Sequence, residues 1–392
     1  MCLSVFYFLL SLMKLIYLKT AGALCVLFVS MNLFGQGCVA IRSGCGANVN
    51  GGVLLQKNQW QASTNFRYFH SYKHFRGKHE ETHRVEEGSE VINDSFFLDF
   101  LISYGISDRL SANIQLPLVY HNRSSMYEHG GNPDEDDPTT LENEFWPGDR
   151  RATSSYGLAD IRLGLSYWLF KSTSFSNLSL GIGVKLPSGN YRFQDTFYNQ
   201  GDGNDQTIQS GVDQSIQPGD GGFGATLEMQ GFHPLTDNIV LSGNLYYLVN
   251  PREKYTLETR GRNRDFSVPD QYAARLGALT MLPIHGLFVY GGARIEGIPS
   301  SDLVGGDEGF RRPGYVISLE PGLSYSVRNT AINLTVPVAI ERNRVQNYSD
   351  KQSDRHGDAA FADYLINFGL TYTFGNAKHV QIDEISQPIN LN

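Results

Sequence analysis

The most regular hydrophobic pattern in the chain runs from Phe96 to Tyr120, FFLDFLISYGISDRLSANIQLPLVY. Phe96, Leu98, Phe100, Ile102, Tyr104 and Ile106 alternate with Phe97, Asp99, Leu101, Ser103 and Gly105. After Ser107-Asp108-Arg109 the alternation resumes, with Leu110, Ala112, Ile114, Leu116, Leu118 and Tyr120 set against Ser111, Asn113, Gln115, Pro117 and Val119. A repeat of two belongs to β-strands, whose successive side chains point to opposite faces. The stretch therefore predicts a hairpin with one apolar face and one mixed face that carries an acid or an amide. In a soluble sandwich the apolar face would meet a core; in an outer-membrane barrel it meets lipid and the mixed face lines the interior.

The same alternation recurs at 59–69, 157–170, 177–187, 223–233, 239–249, 271–282, 287–298, 314–327, 331–342 and 361–374. With the hairpin this makes about twelve strands, an even number as outer-membrane barrels have. Short connections at 107–109, 171–176, 234–238, 283–286 and 328–329 alternate with long polar ones near 70–93, 121–156, 188–221, 251–269, 299–313 and 343–360. Short periplasmic turns and long outer loops are the barrel pattern, and a soluble sandwich has no reason to place every long loop at one end. Strand length agrees, since membrane strands need about 9–11 residues and soluble ones average about 5–6. Lipid tolerates no open sheet edge, so the sheet must close. The predicted fold is all-β: a transmembrane antiparallel up-and-down barrel, located in the outer membrane.

Strand parity assigns the two surfaces. Outward aromatics form girdles, with Trp60, Tyr104, Tyr167, Tyr325 and Tyr372 near the periplasmic side and Tyr68, Tyr120, Tyr247, Tyr272 and Tyr315 near the outer side. The same parity turns Arg67, Asp99, Asp160, Arg162, Lys185, Glu228, Arg275, Arg294, Glu296, Glu320 and Asp363 inward as lumen-lining candidates. About 8 strands enclose a filled interior and about 16–18 leave an open channel, so twelve predicts a narrow lumen with both signs of charge across it. Two readings stay open. The charges line a selective pathway, or they pair off and plug the barrel.

Charge and termini narrow the setting. The 392-residue chain carries a formal net charge of −8 and no basic cluster, which argues against nucleic acid. Lys14 and Lys19 precede an apolar stretch from Ala21 to Val29. This reads as a secretory signal over 1–36, with Met13 as an alternative start and a signal anchor as the alternative reading. Past Gln36 nothing approaches the roughly 18 apolar residues of a membrane helix. The expected organisation is a periplasmic segment at 37–58, the barrel at 59–374 and a polar flexible tail at 375–392. Cys38 and Cys45 are candidates for a small disulfide loop, with free thiols and lipidation of Cys38 as alternatives.

Sharper chemistry finds little support. His79-Glu80-Glu81-Thr82-His83 matches H-E-x-x-H, which holds zinc when both histidines share a helix face. Here it lies in a polar loop between Lys78 and Arg84, so His79, Glu80 and His83 are only weak metal candidates. Gly201-Asp202-Gly203-Asn204-Asp205 offers oxygens for calcium but lacks the rest of an EF-hand loop. A barrel phospholipase would need a Ser-His pair facing lipid; the nearest pairing, His121 with Ser124, lacks the H-x-S-N surroundings of that family. No enzyme activity and no cofactor are expected.

Three stretches carry a resemblance: Tyr104 to Tyr120, Gly157 to Phe170 (GLADIRLGLSYWLF) and Leu180 to Asn190 (LGIGVKLPSGN). They resemble the outer-membrane transporters named for the MetA pathway of phenol degradation, and the whole of 38–374 is similar to an uncharacterised branch of transporter-like barrels from Bacteroidetes. Ala159 stands where that family's G-x-G-D motif has its second glycine. The resemblance implies passage of small compounds, aromatic ones among the candidates, and carries over no binding residues. The final strand, ending in Phe374, also resembles the signal read by the barrel-assembly machinery. The expected partners are that machinery, outer-membrane lipid and lipopolysaccharide, and a small-molecule solute. The alternative is a structural or surface-interaction barrel with a plugged lumen and partner-binding outer loops.

Overall fold

The computed structural model describes residues 54–129, 150–201 and 205–375. The expected signal segment, Cys38 and Cys45, the acidic run at 134–137, most of the 201–205 run and the residues beyond 375 lie outside these residues.

Strand alternation produces the elements expected of it. The chain begins with β1 (Gln59–Arg76), a two-residue β2 (His79–Glu80), β3 (Ile92–Gly105) and β4 (Leu110–Ser125). There follow β5 (Arg151–Leu158), β6 (Arg162–Trp168), β7 (Asn177–Lys185), β8 (Gln194–Gln200) and β9 (Gln206–Gly211). Next come β10 (Gly224–Thr236), β11 (Ile239–Val249), β12 (Lys254–Thr259), β13 (Arg262–Ser267), β14 (Gln271–Met281) and β15 (Leu287–Ile298). The last group is β16 (Gly314–Val327), β17 (Thr330–Thr335), β18 (Val338–Arg344) and β19 (Ala359–Gly375). Two short helices, α1 (His83–Glu86) and α2 (Tyr348–Gln352), sit in outer loops.

β5 with β6, and β17 with β18, each act as one wall strand, so the wall has twelve antiparallel strands. It closes where β1 meets β19, from Gln59 opposite Gly375 to Phe75 opposite Ala359. Following paired residues around the wall leads from Trp60 at the periplasmic end of β1, through Tyr104, Ala112, Leu165 and Ile182, to Tyr315 at the outer end of β16. That climb is the stagger a tilted, closed barrel requires. Outward positions such as Ile182 and Leu276 are exposed, whereas Phe97, Asp99 and Gln115, one residue out of phase with the outward face, are buried inside. The protein is therefore turned inside out relative to a soluble domain, with apolar residues facing lipid and polar ones within.

Besides register shifts along β1, at the end of β10 and between β16 and β18, the wall is broken in two places. Between β5 and β6, Gly157 adopts a φ of +128° and Asp160 leaves the ladder. Its carboxylate instead accepts the backbone N–H groups of Gly189 at 2.9 Å and Asp220 at 3.2 Å, which docks the following outer loop. Between β17 and β18 lies Pro337, which has no N–H to give a ladder. Beyond it β18 pairs with β16 and meets β19 only at Val338–Tyr364. Arg342 spans the gap, donating to the Ala362 carbonyl at 3.1 Å and to Asp363 at 2.5 Å.

The described parts of the long outer loops carry more structure than their polar sequences suggest. β7 ends at Lys185, and above it the far edge of β5 has no ladder partner among the described residues. The β8–β9 hairpin stands beside that edge, where Asp195 accepts the Ser154 N–H at 2.6 Å. The β12–β13 hairpin follows, tied to β9 by Thr259 Oγ1 donating to the Gly211 carbonyl at 2.9 Å. Phe310 then bridges to Phe266. Tyr255, Leu257, Phe266 and Val268, with Tyr191 and Phe310 against them, give this upper storey its own apolar core.

Candidate functional site

Apart from Asp160, which leaves the ladder between β5 and β6, the interior charges come from strand positions one residue out of phase with the lipid-facing row. Arg67, Asp99, Asp160, Arg162, Lys185, Glu296 and Glu320 are all buried, and Glu228, Arg275, Arg294 and Asp363 are partly so. Opposite signs are adjacent. Arg275 lies 3.6 Å from Glu320, Lys185 contacts Asp220 and lies 3.7 Å from Asp160, and Arg294 binds Glu296. Arg67 sits among Asp99, Glu296, Arg162 and Arg294. Aromatic rings lie against the cations: Arg67 over Phe97 at 5.7 Å, Arg162 over Tyr246 at 5.4 Å and Arg275 over Tyr290 at 5.3 Å. Arg162, Arg275 and Arg294 thus belong to one belt with Asp99, Glu296 and Glu320. Asp363 lies apart from it, bound by Arg342 and by Lys73 at 3.0 Å.

Toward the outer side of the belt the interior turns apolar. Phe69, Phe97, Val119 and Leu365 form a buried cluster around Ala159, at the first break in the wall. Beyond that, outer-loop residues meet across the mouth. Arg123 on β4 holds Glu128 at 2.9 Å and lies 3.7 Å from Asp213, which takes a two-pronged contact from Arg312 at 2.8 Å for each prong. Arg311 forms an equivalent fork with Asp302 at 2.7 Å. At the β1 end His74 accepts the Val91 N–H at its Nε2, 2.8 Å away, and holds Asp358 through Nδ1, also at 2.8 Å. A backbone N–H only donates, so the His74 proton sits on Nδ1.

Strand parity marks candidates for inward charge but points to none of these loop partners. Asp213, Arg312, Asp220 and Asp302 lie in polar stretches, where no period marks which residue will meet which.

Other expectations meet the structure as follows. The H-E-x-x-H histidines do not share a helix: His79 and Glu80 form β2 opposite Arg76 and Phe75, and His83 opens α1. Among the described residues no group of three His, Cys, Asp or Glu side chains could hold a metal. His121 points inward and meets Ser95 Oγ at 2.9 Å, not Ser124. In the outer girdle Tyr120 is exposed, but Tyr272 is buried and the Tyr247 hydroxyl donates to Asp270 at 3.0 Å. Asp270 also accepts the Leu303 N–H at 2.9 Å, and this ties the 299–313 loop down at that wall.

A closed barrel of this length and strand number, apolar outside and polar within, has one setting. The protein is an outer-membrane β-barrel. No protein-family model matches the chain, and no curated protein matches it in sequence. Among solved structures, an outer membrane channel from Pseudomonas putida aligns with a TM-score of 0.53 at 11% identity, covering 86% of this chain and 100% of that one. A Pseudomonas aeruginosa FadL homologue aligns with a TM-score of 0.42 at 9% identity, covering 87% and 99% of the two chains. The Pseudomonas putida toluene transporter TodX gives 0.41 and 12%, over 87% and 96%. The likeness to the first is one of fold, and the sequence resemblance drawn above stays at the level of the barrel.

Proposed function

We propose that the barrel passes small apolar or aromatic solutes across the outer membrane, by a route closed to ions at rest. The observation that carries this is the inward-facing cluster of Phe69, Phe97, Val119 and Leu365 beside the charged belt. Inward positions of a water-filled pore are polar, so an apolar patch there fits an apolar visitor. The belt supports the second half of the reading. Lys185, Arg67 and Glu320 expose 2% or less of their surface, so the charges face one another rather than a column of water. A second reading is a surface-interaction barrel with a sealed lumen, favoured by the Arg123–Asp213–Arg312 contacts that tie the outer loops together.

The test uses cells with an intact lipopolysaccharide leaflet and the apolar dye N-phenylnaphthylamine. Expression of the barrel should speed dye entry and Phe97→Asp should abolish the gain, while the refolded wild type gives no ion steps in a planar bilayer. A folded barrel that admits neither dye nor ions would leave the second reading. Large ion steps would instead refute closure at rest.

A further inference from the structure

We propose that the outer half of the β1–β5 face binds the saccharide headgroup of an outer-leaflet glycolipid. The proposal rests on the membrane location and is independent of whether a solute passes.

Tyr68, Phe96, Tyr120 and Tyr156 stand opposite one another in register across β1, β3, β4 and β5. Their rings form a band: Tyr68 to Phe96 at 4.8 Å and Phe96 to Tyr120 at 6.0 Å, with Tyr156 edge-on to Phe193 at 5.4 Å. Two residues further out on the same strands and the same face, His70, Asp94, Asn122 and Ser154 form a second register row. This row is wholly polar and internally bonded. Asp94 accepts from the Tyr68 hydroxyl at 2.8 Å and meets His70 Nδ1 at 2.9 Å, and Asn122 donates to Ser154 Oγ at 3.2 Å. The step from aromatic to polar thus crosses four strands at one height, where hydrocarbon gives way to headgroups.

A girdle that only fixes depth has no need of a bare side, and this wall has one. Tyr156 is 64% exposed and Tyr120 46%, whereas Tyr272 on the opposite wall is 5% exposed. Flat exposed rings suit the apolar C–H face of a sugar, because each sugar ring buries hydrocarbon on one side and keeps its hydroxyls at the rim. Asp94 and Asn122 offer acceptors and donors where those hydroxyls would fall. The polar row holds one carboxylate and no arginine or lysine, which fits hydroxyls better than phosphate. Below the rings the face continues as lipid-facing wall through Phe100, Leu118 and Leu158, all exposed, where acyl chains of the same molecule would lie.

The test places the refolded barrel in nanodiscs of phosphatidylglycerol doped with lipid A and measures, by native mass spectrometry, which lipid stays bound. Wild type should retain lipid A above its share of the bilayer. Tyr120→Ala with Tyr156→Ala should lower that retention about tenfold, the scale of losing one or two aromatic contacts. Asp94→Asn should lower it less, and Leu180→Ala with Ile182→Ala on another wall should leave it unchanged. No enrichment at the wild-type barrel would overturn the proposal whatever the variants do. So would equal loss at both walls, or enrichment of phosphatidylglycerol in its place.

Discussion

Asp213 is one carboxylate on which several outer loops converge. It accepts both guanidinium nitrogens of Arg312, stands near Arg123, and caps the turn at Ser215 through that residue's N–H at 2.9 Å. Burial pushes its acid upward, but Arg123, Arg312 and the hydrogen bonds overcome this and hold the carboxyl well below the usual aspartate range. Asp358 behaves alike: burial raises it, and His74 and Arg84 outweigh that and hold it low. Both folded-state values lie below the unfolded one, about 3.9. Their stabilising contribution is therefore complete above that pH and fades only as the pH falls through the lowered folded value. Hydrogen exchange over 210–217 should stay slow from neutral pH to about 4, near the unfolded aspartate value, and quicken only in stronger acid. Asp213→Asn should remove about 3 kcal/mol of local protection by taking from the half-buried Arg312 the carboxylate that receives both its prongs, while Arg123 keeps Glu128, read in the same exchange experiment at neutral pH. Nothing near Asp213 in the sequence announces this, because Arg312 lies 99 residues away.

At the scale of elements, legibility followed the physics of the surface each strand faces. A lipid-facing strand must alternate, so β3 and β4 were readable residue by residue. β13, RNRDFS, faces no lipid and has one apolar position, so its sequence looks like a loop. It forms because Phe266 packs on Tyr255 and Phe310, contacts that no local pattern reveals. The gap at Pro337 has a visible cause in the missing N–H, whereas that at Asp160 depends on the distant Gly189 and Asp220. Turns differ among themselves in the same way. Gly286 and Gly261 share a left-handed φ, +76° and +75°, but an added Cβ would lie 2.0 Å from the Ser326 carbonyl oxygen at Gly286 and meet nothing within 4 Å at Gly261. Gly261→Ala should cost only the left-handed backbone penalty, about 1–2 kcal/mol. Gly286→Ala should cost clearly more, because the β16 backbone must move as well. Comparing urea midpoints of the two refolded variants checks the ordering.

For the whole molecule, inward charge was predictable from parity but its pairing was not, since each partner comes from another strand. The belt joins Arg275 and Glu320 from β14 and β16, across β15. Arg275→Ala should destabilise by about 3–5 kcal/mol, because Glu320 is left buried without its counter-charge. Replacing the two together, Arg275→Met with Glu320→Leu, should come much closer to neutral. Thermal gel-shift of the folded barrel reads both. If Arg275→Ala or Glu320→Ala opens a conducting path, its ion selectivity should follow the sign that remains. Lost stability with no conduction would mark the belt as a seal.

The wall closes through its first and last strands. Gln61 Nε2 donates to Thr373 Oγ1 across a separation of 312 residues. Contacts so distant form late, since the loop-closure entropy of the whole intervening chain must be met first. Until β19 arrives, β1 waits with a bare edge while every later strand adds to a growing open sheet. Time spent in that state is time spent exposed to self-association. A chain ending before Ala359 should therefore yield no smaller barrel but an adhesive sheet, eluting on size exclusion as assemblies larger than those of the full chain.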